Sequence, residues 1–87
     1  MNITIVGTGY VGLVTGTCFA NAGNSVICLD VDPEKLEILR KGEAPFYEPG
    51  LSELMTSSIE SGNLSFSGDA TSAYDNADII FICVGTP

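Results

Sequence analysis

The chain has 87 residues, of which 45% are hydrophobic, and this combination is typical of one small globular unit. Its net charge of −8 comes from 11 acidic and 3 basic residues, which argues against nucleic acid as a partner. No apolar run reaches the roughly 18 residues of a membrane span, and no basic segment precedes the first strand, so we expect no membrane partner and a cytoplasmic location. There is no histidine, and the 3 cysteines lack zinc-like spacing, so no metal site is predicted.

The strongest motif lies within the first 12 residues. An apolar run, Ile3–Val6, ends in three glycines with G-x-G-x-x-G spacing, Gly7, Gly9 and Gly12. This pattern predicts a buried strand, a tight turn and the start of a helix, whose free N–H groups and positive dipole end face a diphosphate. Gly9 would leave room for that diphosphate, and Gly12 would let the helix pack closely on the sheet. The glycines alone are a weak signal, which gains weight from an acidic residue about 20 positions further on.

A helix is predicted over residues 10–22. Its apolar face is expected to consist of the residues at helical spacing, namely Val11, Val14, Cys18 and Ala22. Gly12 and Gly16 are four positions apart and share a face, which favours a close approach to the sheet. Gly23 then suits the left-handed position that often ends a helix.

A second apolar run, Ser25–Leu29, ends at Asp30, which meets the condition of an acidic residue at the right distance. A carboxylate at the end of the second strand accepts hydrogen bonds from the hydroxyl groups of an adenosine ribose and repels a 2′-phosphate, so NAD is favoured over NADP. The alternative is a loop aspartate that caps the next helix. Asp32 is better placed for that role because Pro33 follows it at the first helical position.

A short helix is predicted over residues 33–41, with Leu36 and Leu39 on its apolar side. Lys35 falls in the first turn of this helix, where a cation opposes the helix dipole. Such a local cost suggests a ligand contact beside Asp30. The alternative, an exposed lysine without a function, is about equally favoured by the pattern alone.

The remaining residues predict one loop and four further elements. Residues 42–50 form a loop with two prolines and two aromatic residues, and the aromatic side chains are expected to cover an edge of the core, with a ligand contact as the less favoured alternative. The elements after it are a helix from Pro49 to a stop at Gly62, a half-exposed strand at Leu64 and Phe66, a brief helix over residues 70–76 capped by Asp69, and a buried strand over residues 78–84.

The order β-α-β-α-α-β-α-β predicts an α/β fold, namely the first half of a Rossmann-type, doubly wound parallel sheet with strand order 3-2-1-4. The ligand crevice is then expected at the carboxyl ends of the first and fourth strands, which brings Thr86 beside the glycine turn. Thr86 is either a hydrogen-bond donor to the cofactor or an ordinary turn residue. The outer edge of the fourth strand would be unpaired and apolar, which favours self-association.

Four segments together resemble the amino terminus of the UDP-glucose/GDP-mannose 6-dehydrogenase family. They are M-N-I-T-I-V-G-T-G-Y-V-G-L-V-T-G, D-V-D-P-E-K, G-E-A-P-F-Y-E-P-G-L and A-D-I-I-F-I-C-V-G-T-P, and the likeness covers essentially the whole chain. The resemblance implies NAD as cofactor, with contacts at Gly7, Gly9, Tyr10, Val11, Gly12, Asp30, Lys35 and Thr86. It also shifts the balance for Lys35 towards a place beside the adenosine ribose.

The resemblance further implies an enzyme that oxidises the 6-hydroxyl group of a nucleotide sugar to a carboxylate in two NAD-dependent steps. The family's nucleophilic cysteine, its lysine and asparagine helpers and its UDP-sugar site lie beyond the residues present. We therefore interpret Cys18, Cys28 and Cys83 as core packing. Residues 1–87 are expected to be a partial NAD-binding Rossmann domain, inactive alone, from a homo-oligomeric parent. The alternatives are a stand-alone nucleotide-binding module and a dehydrogenase of a different nucleotide sugar.

Overall fold

A computed structural model of the chain describes residues 1–84. The elements are β1 (Asn2–Val6), α1 (Tyr10–Asn21), β2 (Ser25–Leu29), α2 (Pro33–Arg40), α3 (Leu51–Glu60), β3 (Leu64–Ser67), α4 (Ala70–Asp75) and β4 (Ile79–Ile82). All strand pairs are parallel, and the sheet order is β3-β2-β1-β4. The predicted element order, fold class and strand order are therefore confirmed.

The core lies on one face of the sheet, under α1 and α3. Side chains alternate along each strand, so Ile3 and Ile5 of β1 share this face with Cys28 of β2. Helix α1 crosses them at short range because Gly16 has no side chain. A Cβ atom at Gly16 would lie only 2.9 Å from Cys28 Sγ and 3.2 Å from Ile5 Cγ1. The predicted close approach of this helix to the sheet is confirmed.

The buried face of α1 is not the predicted one. Its buried residues are Gly12, Leu13, Gly16, Thr17 and Ala20. Val11 and Cys18 are exposed instead, because the helix lies so near the sheet that small residues occupy the contact. The interpretation of Cys18 as core packing is therefore wrong. Cys28 is buried in the core as expected, and the half-buried Cys83 packs against it.

The other face of the sheet is covered only in part. Helix α4 packs there, and its Ala73 carbonyl oxygen accepts a hydrogen bond from the buried hydroxyl group of Thr4. β4 is not the buried strand that the sequence predicts, since Ile80 and Ile82 are exposed, the latter at 74%. The physical reason is its position, because β1 is the only strand that pairs with β4 among residues 1–84.

The loop before α3 departs from prediction in two details. The helix begins at Leu51 rather than Pro49, because Gly50 takes a left-handed backbone conformation with φ of 83° just before it. Phe46 packs against the core, as expected of the loop aromatics. Tyr47 is 90% exposed, so it covers no core edge.

The predicted N-terminal caps of α2 and α4 are confirmed. Asp32 Oδ1 accepts a 3.0 Å hydrogen bond from the Glu34 N–H at the start of α2, and Asp69 caps α4 through the Thr71 N–H at 3.1 Å. Asp32 is thus the capping residue of α2, which leaves Asp30 without that role. Within residues 1–84, none of the helices has the length and apolar character needed to cross a bilayer.

Candidate functional site

The glycine turn follows β1 and lies between β2 and β4. Gly7 N–H donates a 2.9 Å hydrogen bond to the Leu29 carbonyl oxygen on one side, and Cys83 N–H donates a 2.8 Å bond to Val6 on the other. Gly7 has φ of 100°, and a Cβ atom there would lie 3.0 Å from the Cys83 carbonyl oxygen. Both the backbone and the neighbouring strand therefore require glycine at this position. The turn lies at the point where the strand order reverses, which is where doubly wound sheets bind ligands.

Gly12 and Gly9 are required for different reasons. A Cβ atom at Gly12 would overlap the Gly7 carbonyl oxygen, so the fold itself demands glycine there. Gly9 has φ of −73°, and a Cβ atom at Gly9 would meet nothing within 4 Å. Among the glycines of residues 1–84, Gly9 alone combines an ordinary backbone with free space. Packing therefore does not require glycine there, and the free space is compatible with a ligand.

The start of α1 presents backbone donors to this space. By helix geometry the N–H groups of Tyr10, Val11 and Gly12 have no carbonyl partner within the helix, and the first helical bond runs from Leu13 to Gly9 at 2.9 Å. Gly9 provides no capping side chain, and the first turn holds no acidic residue. The positive end of the helix dipole is therefore left uncompensated by the helix itself, as an anion site requires.

Asp30 lies at the carboxyl end of β2 and faces the same turn. Its side chain is 14% exposed, and its Oδ2 atom accepts hydrogen bonds from both the hydroxyl group of Thr8 and, at 3.3 Å, the Thr8 N–H. Its Oδ1 atom accepts a 3.1 Å bond from the Asp32 N–H, and Lys35 Nζ lies 3.7 Å from Oδ2. Asp30 and Lys35, which the sequence places side by side, are thus neighbours in the structure.

The surroundings of Asp30 keep it ionised. Burial by itself raises the pKa of this carboxyl group. The hydrogen bonds from Thr8 and Asp32, together with the charge of Lys35, outweigh that effect and hold the pKa of Asp30 below its ordinary value. Asp30 therefore carries a negative charge at neutral pH, which attracts ribose hydroxyl groups and would repel a 2′-phosphate on the ribose.

Two residues of this site, Thr8 and Glu48, are not predicted by the sequence patterns. Thr8 occupies the second position of G-x-G, where the pattern tolerates any residue. Glu48 Oε1 accepts a 2.6 Å hydrogen bond from the Tyr10 hydroxyl group, and the rings of Tyr10 and Phe46 are 5.2 Å apart. The hydrogen bond to Glu48 and its negative charge raise the pKa of Tyr10. No local signal could pair residues so far apart in the chain.

A cleft of about 140 Å³ opens at the carboxyl ends of the strands, lined by Val6, Gly7, Leu29, Asp30, Val31 and Val84. Larger hollows lie elsewhere, about 200 Å³ under α4, about 480 Å³ beside α3 and about 400 Å³ between α3 and the loop before it. The first lies at the amino ends of β1 and β2, and the other two are lined only by loop and helix residues, whereas doubly wound sheets bind ligands at the carboxyl ends of their strands. The small cleft is therefore the candidate site. Thr86, predicted to lie beside it, is outside the described residues.

A family model described as "UDP-glucose/GDP-mannose dehydrogenase family, NAD binding domain" matches residues 1–87. The chain belongs to this family. The family description confirms NAD as the cofactor, in agreement with the expectation from Asp30.

Individual relatives agree with the family match. A UDP-glucose 6-dehydrogenase of Rhizobium meliloti (strain 1021) is 49% identical over 87 residues, which are 100% of this chain and 20% of the relative. Another from Bacillus subtilis (strain 168) is 51% identical over 85 residues, covering 98% of this chain and 18% of the relative. The crystal structure of a GDP-mannose dehydrogenase from Pseudomonas aeruginosa matches with a TM-score of 0.96 and 41% identity, over 100% of this chain and 20% of that one. The chain spans about a fifth of the length of these proteins.

The residues of this NAD-binding domain fit the cofactor. The open space at Gly9 admits a diphosphate, and the N–H groups at the start of α1 are its natural hydrogen-bond donors. The ionised Asp30 matches ribose hydroxyl groups. The cleft of about 140 Å³ is small beside the roughly 300–1,000 Å³ of pockets that enclose a whole ligand, so it fits a part of the dinucleotide.

Proposed function

We propose that the chain is the NAD-binding portion of a UDP-glucose 6-dehydrogenase. The observation that carries the binding role is the free space at Gly9, next to unpaired backbone donors and within reach of Asp30. The choice of UDP-glucose is supported by relatives, since UDP-glucose 6-dehydrogenases are 42%, 49% and 51% identical and a GDP-mannose 6-dehydrogenase is 41% identical.

In this proposal each site residue has a defined task. Gly7, Gly9 and Gly12 shape the turn, and the N–H groups of Tyr10 and Val11 bind the diphosphate. Asp30 accepts the ribose hydroxyl groups with Lys35 beside it. Thr86, outside the described residues, is assigned a further hydrogen bond to the cofactor. When bound, NAD supplies the acceptor for the hydride that leaves C6 of the sugar. The described residues bind and orient the cofactor through the adenosine and diphosphate ends.

The whole protein would convert UDP-glucose, two NAD and water into UDP-glucuronate and two NADH. We assign residues 1–87 to a partial NAD-binding domain that holds no catalytic residue and does not turn over alone. The nucleophile and the UDP-sugar site belong to other parts of a homo-oligomeric parent.

Two alternatives have specific support. The fold of these residues is shared by a GDP-mannose dehydrogenase with a TM-score of 0.96 and a UDP-N-acetyl-mannosamine dehydrogenase from Staphylococcus aureus with 0.90, so a different nucleotide sugar is compatible with it. A stand-alone nucleotide-binding module is compatible with the complete glycine turn and Asp30. The substrate is tested by comparing the turnover of UDP-glucose, GDP-mannose and UDP-N-acetyl-mannosamine by the whole protein. A preference for GDP-mannose would overturn our choice of UDP-glucose.

Calorimetric titration of the 87-residue chain with NAD tests the binding role. We expect weak, saturable binding, and a severalfold loss for Gly9→Ala while its free energy of unfolding changes by less than about 1 kcal/mol. Absence of heat at all NAD concentrations, or equal binding by Gly9→Ala, would contradict the proposal. Addition of UDP-glucose and NAD to the chain alone should produce no NADH absorbance, and measurable turnover would show that catalytic residues are present.

A further inference from the structure

We propose that Thr8 is a positioning residue for the Asp30 carboxylate. Its hydroxyl group would hold Asp30 in the orientation that binds the ribose of NAD, and it would thereby raise the preference for NAD over NADP. The inference rests on the proposed roles of the glycine turn and Asp30. It concerns a residue that the G-x-G-x-x-G pattern leaves unspecified.

The first observation is the burial and bonding of Thr8. Its side chain is 1% exposed, and both its hydroxyl group and its N–H donate to the same atom, Asp30 Oδ2. Burial does not by itself produce such a bond here, because the hydroxyl group of the equally buried Thr17 has no partner among the described residues. The Thr8 hydroxyl group therefore makes a specific, charge-assisted contact, roughly twice as strong as a neutral hydrogen bond.

The second observation is how the acceptor positions of Asp30 are used. A carboxylate has about four acceptor positions. Oδ2 is directed at Thr8, with Lys35 Nζ at 3.7 Å, whereas Oδ1 accepts one bond, from the Asp32 N–H. Without the Thr8 hydroxyl group, Oδ2 would retain only the 3.3 Å bond from the Thr8 N–H and the distant Lys35. The carboxylate would then be held less firmly, by these two weaker contacts and the 3.1 Å bond from the Asp32 N–H to Oδ1.

A fixed carboxylate affects the two cofactors in opposite directions. It accepts ribose hydroxyl groups without losing rotational freedom on binding, which favours NAD. It also cannot turn away from a 2′-phosphate, so the charge repulsion against NADP is retained in full. Thr8 would thus act on affinity and on specificity through one hydrogen bond.

Thr8→Val is the direct test because valine keeps the shape and removes the hydroxyl group, and Thr8→Ser is the matched control that restores it. Each chain is titrated with NAD and with NADP by calorimetry, and its unfolding is measured alongside. We expect Thr8→Val to bind NAD about tenfold more weakly and to have a lower ratio of NAD to NADP affinity, with Thr8→Ser close to the unaltered chain. A purely structural role would change stability and leave the ratio intact.

The outcomes separate this inference from the proposed function. If the unaltered chain binds NAD and Thr8→Val binds it equally or more tightly, the positioning role is wrong while the proposed function stands. If the unaltered chain fails to bind NAD, both are overturned. If Thr8→Val does not fold, Thr8→Ala takes its place. A further measurement uses NMR of the unaltered chain, in which the carbon signal of the Asp30 carboxylate should shift together with the amide signal of Thr8 as NAD is added. A carboxylate signal that ignores NAD would overturn the inference.

Discussion

The hydroxyl group of Tyr10 and the carboxylate of Glu48, 38 positions apart in the chain, form a 2.6 Å hydrogen bond that ties the loop of residues 42–50 to the first turn of α1. The same loop is fastened to the core through Phe46, whose ring lies 5.2 Å from that of Tyr10. Because Tyr10 also presents one of the unpaired N–H groups, the loop acts on the helix end that we propose binds the diphosphate. The E-P-G-L segment, residues 48–51, therefore stabilises the start of α1 next to the glycine turn through the contact of Glu48 with Tyr10.

This contact is expected to break in alkali. Glu48 raises the pKa of Tyr10, so the bond stabilises the protonated phenol. The contact is fully present below the ordinary tyrosine pKa of about 10 and is lost as the pH rises through the higher pKa of Tyr10 in the folded chain. In an alkaline titration followed by tyrosinate absorbance, the part of the absorbance change that is lost in Tyr10→Phe belongs to Tyr10. Glu48→Gln should lower the pKa of Tyr10 in this titration.

Glu53→Gln is the control for this titration, since it removes an exposed carboxylate of α3 that makes no bond to Tyr10. An unchanged Tyr10 component in Glu48→Gln would show that the hydrogen bond does not persist in solution.

The two glycines that flank Tyr10 and Val11 should respond very differently to alanine. At Gly12 the added Cβ atom meets the backbone oxygen of Gly7, which cannot move without opening the turn, so Gly12→Ala should destabilise the chain by at least about 3 kcal/mol. At Gly9 there is free space and an ordinary backbone, so Gly9→Ala should change the free energy of unfolding by less than about 1 kcal/mol. Urea unfolding of both variants provides the measurement. Equal losses would mean that Gly9 is also needed for folding.

The place of Asp30 was predictable from the sequence because two constraints act on it together. The apolar run Ser25–Leu29 ends at Asp30, and parallel strands end at one edge of their sheet, so the carboxylate had to lie near the glycine turn. Lys35 follows from the same reasoning, since the Asp32 cap sets where α2 begins and hence where its first turn lies.

Other features escaped prediction because hydrophobic periodicity reports the type of side chain and not the distance between elements. Gly12 and Gly16 touch the sheet as predicted, but Thr17 on the same face carries little apolar signal, while the apolar Val11 and Cys18 are exposed. The Tyr10–Glu48 bond joins two distant segments, and local patterns contain no information about such pairs. The apolar run of β4 predicts burial, but only packing partners can produce it.

The exposed strand β4 should cause self-association of the chain. Ile82 is 74% exposed on an edge strand, with Val84 exposed beyond it, and edges of this kind pair with other chains. Ile82→Lys should make the chain monomeric at concentrations where the unaltered chain sediments faster than a monomer. Its free energy of unfolding should change by no more than about 0.5 kcal/mol because the side chain is largely in solvent.

Val31→Lys is the matched control for this substitution, because Val31 is also apolar and largely exposed but lies outside the strand. A loss of self-association in both variants would assign the effect to net charge, and a monomeric unaltered chain would contradict the prediction.

The acid sensitivity of the chain should be linked to Asp30. Its pKa in the folded chain is lowered by Thr8, Asp32 and Lys35 despite its burial, so the carboxylate stabilises the fold when ionised. This contribution is present above the unfolded-state pKa of about 3.9 and is lost as the pH falls through the lower folded-state value. Asp30→Asn should therefore be less stable than the unaltered chain at pH 7, and the difference should shrink as the pH falls below about 4.

Unfolding by urea at a series of pH values measures that difference, with Asp75→Asn as the control because Asp75 is an exposed carboxylate near the end of α4. The control should follow the unaltered chain through the acid range. A difference between Asp30→Asn and the unaltered chain that does not depend on pH would contradict this prediction. It would mean that the charge of the Asp30 carboxylate does not contribute to the stability of the fold.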